Sequence, residues 1–139
     1  MYEIKDHSQE NIYNDHKDLI NDFMKFSVKN IGFDKPVKVS FVSDEGNAKN
    51  PLGKTAYYVP QDMKIVIYVS GRHVKDIMRS LSHELIHHLQ NCNGELNPTH
   101  DTSPGYAQKN KHMRGLEMSA YKNGNVMNMR DFEDKRRND

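Results

Sequence analysis

"SHELIHHLQ", Ser82–Gln90, holds three of the chain's eight histidines and a glutamate within nine positions. Its flanks mark it as helical, because Val74, Ile77, Met78, Leu81, Leu85 and Leu89 recur at helix spacing. With Leu81 at zero on a wheel of about 100° per residue, these apolar residues span roughly −40° to +80°. His83 and His87 fall near roughly 200° and 240°, off that stripe and beside each other, with Glu84 near roughly 300°. Two imidazoles one turn apart can grip a single metal ion, and the glutamate between them can reach water bound to it. His88 differs. It falls at about −20°, inside the apolar stripe, and is expected to be a buried, hydrogen-bonded histidine rather than a ligand.

Two histidines leave a zinc site incomplete; a third protein ligand and an open fourth position are expected. The downstream candidates are His100, Asp101, His112 and Glu117. A last helix is expected from near His112, with Met113, Leu116, Ala120, Gly124 and Met127 as its apolar stripe. Glu117 lies about 100° from Leu116 on that helix. A carboxylate on such a shoulder is costly to desolvate unless it is paired or bound to metal. Ala120 and Gly124 leave room for a second helix to approach. Glu117 is therefore the expected third ligand, ahead of the other three.

Outward from this pair of helices the chain reads as one α+β domain over residues 1–139. Ile12, Leu19, Ile20, Phe23, Phe26 and Ile31 describe an amphipathic helix from about Gln9 to Asn30, punctuated by Gly32 and Pro36. "VKVSFVS" (37–43) alternates as a half-buried strand does, and a Gly, Asn and Pro cluster (46–53) predicts a loop. "KTAYYVP" (54–60) and "KIVIYVS" (64–70) read as a hairpin, so the sheet has three strands or more. Pro60 suits an edge strand, and the first of the pair is expected at the sheet edge, with Tyr57 and Tyr58 either covering the sheet or bordering a peptide. Gly94 predicts the end of the histidine-bearing helix. The stretch 95–110, with "NPTHDTSPGYAQKN", is a loop of a length that is often functional. The end, "DFEDKRRND", predicts a loose, solvated tail over 130–139. The small sheet is expected to pack on the N-terminal helix, the histidine-bearing helix and the C-terminal helix that carries Glu117.

His83, Glu84 and His87, with Glu117 in "EMSAY" on a separate helix, resemble the zincin metallopeptidases of the gluzincin type. These carry H-E-x-x-H on one helix and a metal-binding glutamate on the next. The resemblance covers about residues 54–124. A weaker likeness, on "HELIHHLQNCNGEL", "DTSPGYAQ" and "GLEMSAYKNGNVMNMRDFED", is to small peptidases of tailed phages and bacteria. Metzincins are a poorer match, because Gln90 and Asn93 stand where their glycine and third histidine would be. Peptide deformylases take a cysteine from upstream of the helix, whereas Cys92 lies downstream. One departure from the gluzincin pattern is Tyr121, four positions after Glu117, where many members carry an acidic residue that orients a metal-binding histidine.

The resemblance implies one zinc ion on His83, His87 and Glu117, and hydrolysis of a peptide bond by metal-activated water with Glu84 as general base. For the oxyanion donor the candidates by position are Tyr106 first, then His112 and Arg114. A catalytically silent zinc module that locks two helices together, and an amidase acting on a non-peptide substrate, are the alternatives.

Composition narrows the classes. Lys and Arg number 20 against 19 Asp and Glu, so charge gives no reason to expect nucleic acid or a membrane surface as partner. Hydrophobic residues make up 35% and charged ones 28%, which predicts a thin core. The single cysteine, Cys92, excludes an internal disulfide and reads as a small apolar filler. No run approaches the ~18 apolar residues of a membrane helix, and the first residues lack the apolar run of a signal peptide. The expected setting is cytoplasmic (a host's cytoplasm for a phage protein), with a peptide or protein as substrate.

Overall fold

The computed structural model describes residues 1–49, 55–96 and 106–138, with the backbone alone for 47, 48 and 106–110. In chain order the elements are β1 (Tyr2–Asp6), α1 (Ile12–Asp15), α2 (Lys17–Ile31), β2 (Val37–Val42) and α3 (Glu45–Ala48). There follow β3 (Ala56–Val59), a 3₁₀ turn (Pro60–Asp62), β4 (Lys64–Tyr68) and α4 (Val74–Cys92). A continuous helical run closes the chain: α5 (Tyr106–Ala120), a π-helical stretch (Tyr121–Asn128) and α6 (Met129–Asn138). The domain is α+β, as the sequence pattern predicts.

The four strands form one sheet in the order β1-β2-β4-β3. β1, β2 and β4 run parallel, and β3 pairs antiparallel with β4 through the hairpin around Pro60. β3 is thus an edge strand, where Pro60 predicts it. Val37, Val39, Phe41, Ile65 and Ile67 alternate along β2 and β4 and are buried on one face. Against that face α2 sets Ile20, Phe23 and Met24, α4 sets Ile77, Leu81 and Leu85, and α6 sets Met129 and Phe132. Each such side chain contributes about 1.5–3 kcal/mol by leaving water.

Several expectations are corrected. β1 has no counterpart in the sequence reading: "YEIKD" carries only Tyr2 and Ile4 toward the core, and it is strand because it extends the parallel ladder beside β2. The N-terminal helix is two pieces, broken at His16, whose backbone leaves helical geometry. The 46–53 loop begins as the short helix α3, and residues 50–54 lie outside those described. The last helix starts at Tyr106, a turn and a half before His112. The end is no loose tail. Phe132 is 3% exposed and sits edge-on to Phe23 with centroids 5.1 Å apart, while Arg136 reaches Asp22 at 3.3 Å. One apolar residue per turn is too sparse to announce a helix among so many charges, yet Phe132 anchors it. Among the described residues no helix is long and apolar enough to cross a membrane.

Phe132→Ala is expected to destabilise the fold by about 3–5 kcal/mol, because it opens a cavity between α2 and α6. Urea unfolding followed by circular dichroism measures it; a loss below about 1 kcal/mol would return α6 to the status of a frayed end.

Candidate metal centre

α4 is held in place by its apolar stripe, which turns the opposite face toward a cleft of about 580 Å³. Ligand atoms of His83, Glu84 and His87 lie within 4.8 Å of one another there, so this group can hold a metal ion. The two imidazoles stand edge to face, centroids 5.0 Å apart. Opposite them α5 presents Glu117. Its Oε2 lies 3.3 Å from His83 Nε2 and its Oε1 2.8 Å from His87 Nε2.

The far sides of both rings are also held. His87 Nδ1 faces Gln90 Oε1 at 2.8 Å, and Gln90 Nε2 donates to the Leu116 carbonyl at 3.0 Å. With its nitrogen committed to a carbonyl, Gln90 can offer His87 only an acceptor, so Nδ1 carries the hydrogen and donates. Nε2 then faces a carboxylate oxygen 2.8 Å away. A proton on Nε2 or a metal ion shared by the two groups satisfies that separation. His83 repeats the pattern, with Nδ1 2.7 Å from Asn125 Oδ1 and Nε2 toward Glu117. Ligands at about 2.0–2.2 Å from one tetrahedral ion lie roughly 3.3–3.6 Å apart; the His83–Glu117 separation of 3.3 Å matches this and the His87–Glu117 separation of 2.8 Å is shorter. Two nitrogens and a carboxylate of this kind fit a divalent ion.

Glu84 has a different environment. It is 7% exposed, and among the described residues its Oε2 has no hydrogen-bond partner. Burial raises its pKa above the usual carboxylate value, against the pull of His87 and His83 and with a smaller push from Glu117. An unpaired buried acceptor with a raised affinity for a proton, beside a cation site, is suited to taking one up.

The cleft runs between β3 and the last helical run. Ala56, Tyr57 and Tyr58 line one wall, and Met113, Leu116, Glu117 and Tyr121 the other. Tyr58 has a second task. Its hydroxyl donates to His88 Nδ1 at 2.7 Å, while His88 Nε2 donates to the Lys35 carbonyl at 2.7 Å. His88 is fully buried, and burial holds its imidazole below the usual range. It is the core histidine the wheel predicts.

Of the remaining candidates, His100 and Asp101 lie outside the described residues, as does the side chain of Tyr106, whose backbone opens α5. His112 is engaged elsewhere, its Nε2 donating to the Glu95 carbonyl at 2.8 Å. Arg114 is exposed. Met113, counted in the apolar stripe, is half exposed and borders the cleft instead. Tyr121 is 61% exposed; Asn125, not Tyr121, meets His83. The sequence reading misses both amides. Gln90 could have been found, since it sits three residues from His87 on the same helix. Asn125 could not, because its position depends on the π geometry.

No family model, curated protein or solved structure matches this chain.

Cobalt(II) is expected to bind one ion per chain and to develop visible absorption of low-symmetry coordination. Glu117→Ala should weaken that binding by roughly a hundredfold or more, and His112→Ala should not. Equal affinities in wild type and Glu117→Ala would remove Glu117 from the site.

Proposed function

We propose that the protein is a zinc-dependent peptidase of the zincin type, with zinc held by His83, His87 and Glu117. The carrying observation is that two Nε2 atoms and the Glu117 carboxylate converge while Glu84 Oε2, beside them, has no partner among the described residues. Two imidazoles and one carboxylate are a donor set that catalytic zinc sites use, with one position left for water. Bound zinc supplies a Lewis acid that polarises a carbonyl and makes water more acidic.

The chain's own groups do the rest. Glu84 accepts the proton from the attacking water, held ready by a buried environment that favours its neutral form. It then delivers that proton to the departing amine. Gln90 and Asn125 keep the rings from turning as charge develops. β3 is an edge strand that lines the cleft, so an extended peptide can add to it by main-chain hydrogen bonds and lie across the zinc ligands. That mode of holding asks for little surface, in keeping with a chain of 139 residues.

The test is Glu84→Gln assayed against a broad peptide library beside the wild type. Turnover should fall by about 10²–10⁴ with zinc content unchanged. A wild type that binds zinc stoichiometrically yet cleaves no member would make the site a structural clamp between α4 and α5. Cleavage of small amides but not of peptides would make it an amidase.

A further inference from the structure

The π-helical stretch has no part in the core, yet it lies directly against the histidine-bearing turn of α4. An α-helix advances about 100° per residue, whereas a π-helix, with its i→i+5 bonds, advances roughly 80°. Counted from Glu117 through Ala120 in α and onward in π geometry, Asn125 returns to within about 20° of the Glu117 direction. Uninterrupted α-helix would carry it about 80° past. The two residues therefore share one face and take the two nitrogens of one ring: Glu117 toward Nε2 at 3.3 Å and Asn125 at Nδ1 at 2.7 Å.

The register is fixed independently of that contact. A Cβ on Gly124 would lie 2.7 Å from the Ser82 carbonyl oxygen and 2.9 Å from His83 Cα, so only glycine lets the two backbones come this close. Ser82 Oγ donates to the Gly124 carbonyl at 2.7 Å. Asn128, 1% exposed, donates to Ser82 Oγ at 2.9 Å and to Ser27 Oγ at 3.1 Å, and accepts from Asn30 at 3.0 Å. This buried network ties α2, α4 and the π stretch together one residue before His83.

We propose that the π turn is a positioning device for the metal centre, and that Asn125, with Gln90, fixes both histidines as Nδ1–H tautomers whose Nε2 atoms face the ion. Both orienting groups are neutral amides. They set direction without the added basicity that a carboxylate partner gives a ligating imidazole. The site is therefore tuned to bind its ion less tightly than its geometry allows, and a carboxylate at 125 would tighten it. The inference rests on the metal reading of His83, His87 and Glu117 but not on peptidase activity.

The experiment compares wild type, Asn125→Leu and Asn125→Asp in zinc affinity, by competition with a chromophoric chelator, and in the ¹⁵N shifts of the His83 ring in the zinc-loaded protein. Asn125→Leu should lose about ten- to a hundredfold in affinity, and Asn125→Asp should recover it and exceed wild type. The ring shifts should report Nε2 bound and Nδ1–H in wild type and Asn125→Asp. A wild type that binds no zinc would remove the metal reading and this proposal with it. Zinc bound equally well by all three would overturn the proposal alone, as would equal losses in both variants, which would mark Asn125 as merely structural.

Discussion

At Ser82 and His83 the backbone of α4 touches that of the last helical run at Gly124, closer than any side chain at that glycine would permit. The helical wall of the cleft that faces the imidazoles inherits its placement from this contact. It fixes the distance between the helix that carries the imidazoles and the one that carries Glu117. The polar atoms buried beside it are satisfied in full: the Ser82 hydroxyl donates to a carbonyl and accepts from Asn128, whose own oxygen accepts from Asn30. A buried network with every group paired specifies one register, where an apolar seam of the same size would tolerate slippage. Leu116 and Ala120 then need only fill the space on either side.

The two carboxylates of the cleft differ in ways that suit different tasks. Glu117 is largely open to solvent, with its two oxygens 3.3 and 2.8 Å from the Nε2 atoms of His83 and His87. Glu84, one residue from His83, is nearly sealed, with an oxygen that meets no donor among the described residues. A buried unpaired carboxylate oxygen costs on the order of 1–3 kcal/mol or more, and folds seldom keep such groups without use. One site thus keeps an open carboxylate that faces two imidazoles beside a buried one whose pKa burial raises.

Most of the fold was legible because it follows simple periods. The alternation in "VKVSFVS" and "KIVIY", the proline that closes β3 and the apolar stripe of α4 each state a local rule that tertiary packing does not override. The wheel angles of His83, Glu84 and His87 bring them to the cleft and that of His88 to the core, because α4 is a regular α-helix. Where the period changes, that reading fails. A wheel at 100° per residue directs attention four positions beyond Glu117, to Tyr121, which stands in solvent; the π stretch moves the orienting role to Asn125. Nothing in "YKNGNV" announces π geometry, since the contacts that hold it lie across the interface, at Ser82 and His83. β1 was hidden for a related reason. A five-residue strand with two core-facing side chains exists through pairing with Val37–Phe41, a partner more than thirty positions away in sequence.

The sheet edge carries the last part of the argument. An exposed edge strand invites unwanted pairing, and proteins usually blunt it. Here β3 is instead stiffened. Arg72 sends one guanidinium nitrogen to the carbonyls of Thr55 and Tyr68, at 3.2 and 2.8 Å, and the other to the Asp76 carbonyl and Ser80 Oγ, at 2.9 and 2.7 Å. Tyr58 is pinned from behind by His88 and Asn91. One planar cation and one core histidine therefore tie the strand to α4 at both ends, which joins this wall of the cleft to the helix that carries His83 and His87. A fully buried histidine thus sits one position from a histidine of the cleft. His87 lines the cleft, and His88, facing the other way, holds the edge strand through Tyr58.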